Sequence, residues 1–520
     1  MSERSKAVQL PRKLPAPLWL KIPVLVLAFF ALIPVLYVLV RMYESGWAQA
    51  VHLLWRPYVG RLLVNTLVLV ALVVSCTAVV GVMFAWLVER TRLKWARHWN
   101  VLLCLPFAIP SFVAGFTWVS LDKAFEGLGG AVLVMSLSKY PMVYLPVMAA
   151  LRAMDPALEE SARMLGRSRR QVFWQVTLPL LKPTLLGSSL LVALHMLVEF
   201  GALSILRYQT FTTAIYQEFE LEFNNAHAAM LSGVLLVMCL LLLRAEVKLR
   251  GRGFFRTGQG SVKAFKKLDL GPWQWPLQVL LAAWVAISCG TPLVTLLYWI
   301  LEGSSAHFAL GELISTLWQS LKLAFGAALL SVLLALPVAL ACVRYLGVLA
   351  KLADKLPYVL HALPGLVIAL SLVFFSLRVV PDLYQTTTLL LIAYALLFLP
   401  MVQAPLRAAL EKLSPSLEEA ARTLGKSPFK AFLSVTLPVL APVLGAGFVL
   451  VFLDTLKELT ATLVLGPTGL KTLATQVWSH TANMEYAAAA PFAALIVLLS
   501  GVPVYLITTA TYRLNGNKGA

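Results

Sequence analysis

Long apolar segments dominate this chain and restrict what it can fold into. A helix needs roughly 20 apolar residues to cross about 30 Å of hydrocarbon, and the sequence contains twelve candidate segments of this kind. They lie near residues 18–40, 62–88, 100–121, 129–151, 183–206, 228–244, 275–300, 316–343, 356–378, 386–409, 441–465 and 488–510. Lipid offers no hydrogen bonds to the backbone, so such spans must be helical. The sequence therefore predicts an all-α membrane protein with about 12 transmembrane helices.

The net charge of +19 follows membrane topology and does not indicate a nucleic-acid surface. Lys and Arg cluster in the N-terminal tail, in residues 89–97, in two loops described below and in residues 244–267. If the spans alternate in direction, all of these segments fall on one side, as the positive-inside rule requires. We therefore expect a multi-pass protein with both termini cytoplasmic, lipid as its surroundings and no nucleic-acid partner.

One polar segment occurs twice in the chain, 259 residues apart. Residues 156–183 and 415–442 are identical at 16 of 28 positions without a gap. Each copy has apolar residues at helical spacing, and a glycine ends each run, Gly166 in the first and Gly425 in the second. Because each copy is polar and lies between apolar spans, it predicts a water-facing helix held between membrane helices. A loop that merely connected two spans would be free to diverge.

The repeat divides the chain into two halves of the same orientation, since each half contains an even number of spans. We predict a first repeat at residues 1–245 with its loop at about 155–179. A basic, Gly-containing cytoplasmic linker follows at residues 246–272. The second repeat then covers residues 273–520, with its loop at about 414–438. Such parallel repeats are related by an axis along the membrane normal, which places a pathway between the halves.

The repeated loop resembles the coupling loop, called the EAA loop, of permease subunits in binding-protein-dependent ABC importers. The residues that carry the resemblance in the first copy are Glu160, Ala162, Gly166 and Pro179, and those in the second are Glu419, Ala421, Gly425 and Pro438. The resemblance implies the type I importer permease fold. It also implies that these residues dock into two copies of a separate ABC ATPase subunit, with a periplasmic substrate-binding protein as a further partner and the bacterial inner membrane as the location.

The chain has no ATP site of its own. The run Gly425-Lys426-Ser427 is similar to the end of a phosphate-binding loop, but Ala420 stands where that motif needs its first glycine. The motifs of zinc peptidases and of α/β-hydrolases do not occur in the sequence either. We therefore expect a transport subunit that is not an enzyme and holds no cofactor, with ATP and Mg²⁺ on the partner ATPase subunits.

Four ionisable residues within predicted spans are candidates for a translocation pathway. His195 and Glu199 are four residues apart after the first loop, and Asp454 and Glu458 occupy the matching places after the second. Intramembrane charges are costly and are usually functional, and a spacing of four places each pair on one helix face. Three of the four are oxygen donors, which suit a hard cation such as ferric iron. In the alternative, the four are structural: His195 and Glu199 satisfy each other, and Lys457 neutralises Asp454 or Glu458.

Most of the chain also resembles the fused two-repeat permeases of the ferric iron branch of these importers. The segments that suggest this branch are 198–202 and 210–216 in the first half and 457–463 and 472–475 in the second. The resemblance implies import of ferric iron by alternating access. A thiamine importer of the same design remains open, with Trp86, Trp118 and Tyr140 as aromatic contacts. An ion-coupled secondary transporter is a less favoured alternative, because such a carrier has no partner to dock against its loops.

Overall fold

The computed structural model describes residues 17–222, 224–250, 267–303, 310–414 and 416–516. Within these ranges the elements are helices, and the β-type pairing is a single isolated bridge between Thr91 and Leu268. The prediction of an all-α protein is therefore confirmed. Most of the predicted linker 246–272 and the basic N-terminal tail lie outside the described residues.

The helices of the first half are α1 (Leu18–Ser45), α2 (Trp47–Leu54), α3 (Pro57–Arg90), α4 (Ala96–Cys104), α5 (Ser111–Leu121), α6 (Leu128–Lys139), α7 (Pro141–Ala153), α8 (Pro156–Met164), α9 (Arg169–Val172), α10 (Leu178–Val198), α11 (Gly201–Ile205), α12 (Phe211–Glu220) and α13 (Asn225–Arg250). Those of the second half are α14 (Gln274–Val285), α15 (Thr291–Glu302), α16 (Leu310–Arg344), α17 (Val348–Ala362), α18 (Gly365–Val379), α19 (Thr387–Lys412), α20 (Ser416–Thr423), α21 (Pro428–Ala431), α22 (Leu437–Leu456), α23 (Thr460–Leu465), α24 (Leu473–Ala482) and α25 (Tyr486–Gly516).

Nine helical segments in the described part of the chain are long and apolar enough to cross a membrane, and two bent helix pairs raise the number to eleven. The twelfth predicted span, near 488–510, begins as a shorter apolar helix at Tyr486–Gly501. The bent pairs correspond to the predicted spans 100–121 and 356–378, which are broken by 86° and 105°. Pro110 and Pro364 lie at these breaks, 254 residues apart. Proline has no amide hydrogen and restricts the preceding residue, so it interrupts a helix.

The two halves use the same internal packing. In the first half α3 packs against α7 and α10, and in the second half the equivalent α16 packs against α19 and α22. The first helices of each half cross over to the other half: α1 packs against α16, α17 and α18, and α15 packs against α5. Because the first span of each half packs against the other half, the two repeats form one folded unit around a shared interface.

Candidate functional site

Both repeated loops fold into a short helix, a glycine turn and a second short helix. In the first loop, the backbone of Gly166 has φ +80°, and the Arg167 amide donates to the Ala162 carbonyl at 3.2 Å. In the second, Gly425 has φ +87°, and the Lys426 amide donates to the Ala421 carbonyl at 3.1 Å. In both loops the amide after the glycine thus bonds back to a carbonyl of the last helical turn, which is the hydrogen bond of a Schellman C-cap. The predicted glycine turns are confirmed in both copies.

The tips of the loops expose apolar side chains. Leu165 is 83 % exposed and Leu424 is 84 % exposed, and both lie in polar segments that the sequence predicts to face water. Glu160 and Glu419 are also exposed, whereas Ala421 is buried on the inner face of the second loop. Exposed leucines at two equivalent positions make these tips candidates for a surface that a partner covers.

A buried ionic contact holds the first loop against the membrane helices, and sequence reasoning missed it. Glu159, the residue before Glu160, accepts hydrogen bonds from Arg90 at the end of α3 (3.3 Å) and from Thr177 (3.1 Å). The side chain of Arg90 is 4 % exposed and that of Glu159 is 9 % exposed. The structure therefore separates two adjacent glutamates into an anchor, Glu159, and an exposed docking candidate, Glu160.

The same anchor occurs in the second half. Glu418 pairs with Arg344 at the end of α16 and accepts a hydrogen bond from Thr436. Glu418 and Thr436 match Glu159 and Thr177 at the offset of 259, and Arg344 matches Arg90 at the offset of 254. The sequence signal for this anchor was that both adjacent glutamates are the same in the two copies of the loop. A helical pattern alone does not show which of the two turns inward.

The helices that follow the loops end earlier than predicted, and this changes the place of the candidate pathway residues. The predicted span 183–206 ends at Val198, so Glu199 lies beyond the helix with an extended backbone, at ψ 125°. Likewise α22 ends at Leu456, between Asp454 and Glu458. The expectation that each pair shares one helix face is therefore wrong. Both glutamates instead lie in equivalent breaks between two helices.

Glu199 is held by partners from three other helices, α5, α6 and α11. Its carboxylate accepts hydrogen bonds from the Ser111 hydroxyl at 2.9 and 3.0 Å and from the Ala202 amide at 3.2 Å. The ammonium of Lys139, at the end of α6, lies 3.6 Å away. His195 bonds instead to the Leu191 carbonyl at 2.9 Å. The two residues thus have separate partners, contrary to the alternative in which they satisfy each other.

The second break is arranged differently from the first. Glu458 accepts a hydrogen bond from the Ala461 amide at 2.7 Å, and Asp454 lies 3.9 Å from the ammonium of Lys457. The pairing of Lys457 with Asp454 is the one that the structural alternative named. At the offset of 259, the residue that matches Lys139 is Phe398. Each half therefore supplies one lysine to the site, but from a different position.

The two breaks meet at the interface between the halves. A Cβ atom placed on Gly201 would lie 2.9 Å from the Leu459 side chain, so the first break touches the second directly. Glu458 is within electrostatic reach of Glu199 and Asp454, and the imidazole of His195 lies 6.5 Å from that of His361. The structure thus brings the four predicted pathway residues into one zone. Lys139 and His361 also lie in this zone. The signal for the lysine in the sequence was a single charge within an apolar span.

The described side chains of this zone are not grouped as the ligands of one metal ion. In the ranges that the structure describes, no three His, Cys, Asp or Glu side chains are grouped so that they could hold a metal ion. Carboxylates that are paired with lysines present oxygen atoms to a passing cation without enclosing it. The arrangement suits transient contact with a cation that crosses the interface between the halves.

The aromatic residues considered for a thiamine pathway have their described contacts with residues outside the two breaks. Tyr140 is fully buried and donates a hydrogen bond to the Leu103 carbonyl at 2.7 Å. Trp118 packs against Phe125 with 4.8 Å between ring centroids. Trp86 lines a separate cavity beside α3. These three residues do not form an aromatic cage around the zone between the halves.

Comparison with known proteins agrees with this architecture. The model of the family described as binding-protein-dependent transport system inner membrane component matches residues 77–245 and 328–515. A Haemophilus influenzae protein named Fe(3+)-transport system permease protein FbpB 2 is 43% identical over 509 residues, which cover 97% of this chain and 100% of the relative.

More distant relatives extend the similarity. The ferric transport system permease protein FbpB of Actinobacillus pleuropneumoniae is 24% identical over 521 residues, covering 92% of this chain and 75% of the relative. The sulfate transport system permease protein CysT of Escherichia coli is 29% identical over 241 residues, covering 42% of this chain and 87% of the relative.

Proposed function

The chain belongs to the family of binding-protein-dependent transport system inner membrane components, and on that premise we propose that it is the fused two-repeat permease of an ABC importer for ferric iron. The main support for ferric iron as the substrate is the 43% identity, over 97% of this chain, to a protein named as a Fe(3+)-transport permease. The charged zone between the halves supports the same conclusion, because its carboxylate oxygens are ligands that a hard cation prefers.

The two loops are the sites at which separate ATPase subunits drive the permease. Each loop exposes an apolar tip, and each is tied to the end of a long membrane helix by a glutamate–arginine pair, which is buried in the first loop and partly exposed in the second. A force applied at the tip is therefore carried into α3 or α16 and is not lost in a flexible connection. Two equivalent loops fit two copies of the ATPase, which bind ATP and Mg²⁺. This assignment places the loops and both termini in the cytoplasm.

The zone between the halves is the passage for the ion. A periplasmic binding protein delivers ferric iron to the opposite side, and Glu199, Asp454 and Glu458 meet it as it crosses, with His195 beside them. Lys139 and Lys457 offset the negative charge while the passage is empty. As the ATPase subunits close and open, the two halves rock against each other and the passage changes the side to which it opens. The helix breaks lie where that motion acts, because they touch across the interface.

Uptake of radiolabelled ferric iron by proteoliposomes tests this function. The vesicles contain this chain, its ATPase and its binding protein, with and without ATP, and thiamine serves as the alternative substrate. We expect ATP-dependent uptake of iron alone, and we expect Glu199→Gln combined with Glu458→Gln to abolish it while the complex still assembles. The matched control removes two exposed carboxylates outside the breaks, by Asp382→Asn with Glu411→Gln, and leaves uptake unchanged.

The outcomes separate the parts of the proposal. Uptake of thiamine alone would retain the importer and discard ferric iron as its cargo. Normal iron uptake by the Glu199 and Glu458 double variant would show that these two residues are not needed for passage of the ion and have a structural role. Uptake that does not depend on ATP would contradict the ABC importer and favour a secondary transporter.

A further inference from the structure

A large apolar cavity lies beside the first coupling loop, outside the zone between the halves. Its volume is about 740 Å³, and three parts of the chain line it: the C-terminal half of α3, the second short helix of the loop with the start of α10, and the end of the linker with the first residues of the second repeat. The lining residues on which the argument depends are Ala78, Trp86, Arg169, Arg170, Trp174 and Trp273. None of the four pathway candidates lines it.

The cavity combines an apolar interior with positive charge at one end. Arg169 and Arg170 are exposed and line the end formed by the coupling loop. Asp269 also lines the cavity, but its carboxylate pairs with Arg92 at 3.2 Å. The two arginines therefore leave a positive potential at the mouth, whereas the rest of the wall is mainly aliphatic and aromatic.

The surrounding tryptophans place the mouth at a membrane–water boundary. Trp174 is 58 % exposed and Trp273 is 67 % exposed, and both line the cavity. Nearby, Trp275 is also exposed and has the ammonium of Lys94 over its ring at 5.5 Å. Exposed tryptophan and basic residues mark the level of lipid headgroups in membrane proteins. The interior of the cavity then lies at the depth of acyl chains.

The second repeat provides an internal comparison. At the offset of 259, Arg169 and Arg170 correspond to Pro428 and Phe429, and Trp174 corresponds to Leu433. The glutamate anchors and the glycine turns are the same in both loops, but the basic pair belongs to the first loop alone. The arginines are therefore not a requirement of the shared loop fold. The difference between the two loops therefore calls for a feature that is specific to the first half.

We propose that this cavity binds an anionic phospholipid, with its headgroup phosphate on Arg169 and Arg170 and its acyl chain between α3 and the first residues of the second repeat. Basic pockets beside membrane helices bind lipid headgroups of this charge. Such a lipid would join the first coupling loop to the second half of the protein. The proposal rests on the proposed function only in placing the loop on the cytoplasmic face, where anionic headgroups attract basic segments.

Quenching of tryptophan fluorescence by brominated lipid tests the proposal on the full chain in vesicles. Brominated phosphatidylglycerol is compared with brominated phosphatidylcholine at equal mole fraction in an unbrominated phosphatidylcholine background. We expect the anionic lipid to be preferred by about fivefold for each arginine at low ionic strength, since one basic residue near an anionic surface contributes about 1 kcal/mol. Neither iron nor the ATPase is needed, so failure of this test is distinguishable from failure of the proposed function.

Two matched variants make the result specific. Arg169→Gln with Arg170→Gln is expected to remove the preference, whereas Arg163→Gln with Arg167→Gln, the same charge change on the same loop, is expected to retain it. Ala78→Leu narrows the cavity and keeps both arginines, so it is expected to weaken quenching by both lipids and provides a second route if the arginine variant does not fold. Equal quenching by the two lipids in the unmodified chain would overturn the proposal. Equal loss in both arginine variants would also overturn it, because it would indicate a general basic surface.

Discussion

Removing the Glu159 carboxylate should detach the first coupling loop from its membrane helix. In Glu159→Ala, the guanidinium of Arg90 loses its partner at 3.3 Å, and in the unmodified chain the Arg90 side chain is only 4 % exposed. Breaking a buried ion pair from one side costs about 3–5 kcal/mol, because the other charge stays out of water. The hydrogen bond from Thr177 is lost as well. We expect most of this cost to appear as easier local opening of residues 155–179.

The second half supplies a graded comparison. The side chains of Arg344 and Glu418 are 21 % and 19 % exposed, so water screens this pair more than the first one. Glu418→Ala should therefore cost less, about 1–2 kcal/mol. Glu160→Ala changes an exposed side chain and should stay within about 0.5 kcal/mol. The expected order of destabilisation is Glu159→Ala, then Glu418→Ala, then Glu160→Ala.

Hydrogen–deuterium exchange of the solubilised chain measures these differences directly. Amides of the loop exchange through local opening, and about 1.4 kcal/mol corresponds to a factor of ten. Exchange in residues 155–179 should rise about hundredfold or more in Glu159→Ala and about tenfold in residues 416–438 of Glu418→Ala, with little change elsewhere. Equal exchange in the Glu159→Ala and Glu160→Ala proteins would refute the argument, because it would show that the buried pair does not hold the loop.

Two further predictions concern the coupling loops. Glu160→Lys with Glu419→Lys should prevent the ATPase from co-purifying with a chain that remains monodisperse, because both exposed docking positions then carry the opposite charge; retention of the ATPase with normal uptake would contradict the docking assignment. Gly166→Ala should destabilise the first loop by about 1 kcal/mol, since φ +80° is strained for a residue with a side chain. Thermal unfolding measures this effect, and Gly187→Ala, in the interior of α10 with open space around it, serves as the control and should be neutral or stabilising. Equal effects of the two changes would refute the backbone argument.

The repeated loops show how far sequence reasoning reached. Apolar length, polarity and glycine position are local properties, so they predicted the membrane helices, the water-facing loops and the turns at Gly166 and Gly425. Local patterns also located the two charged segments after the loops. They did not predict that the helices end at Val198 and Leu456, because apolar residues resume directly after the charged residues of each break. Helix ends in such segments depend on capping partners and packing from elsewhere in the fold.

What the sequence determined by itself was the type of protein: apolar segments of membrane length, two parallel halves and a loop that is preserved in both. Only the tertiary structure decided which charges meet. Lys139 reaches Glu199 from a different helix, Arg90 reaches Glu159 across 69 residues, and the two helix breaks touch across the interface between the halves. Periodicity defines one face of one helix, whereas these contacts depend on how several helices cross. A charge inside the protein or the lipid has no access to water, so it needs a partner that this arrangement of helices supplies.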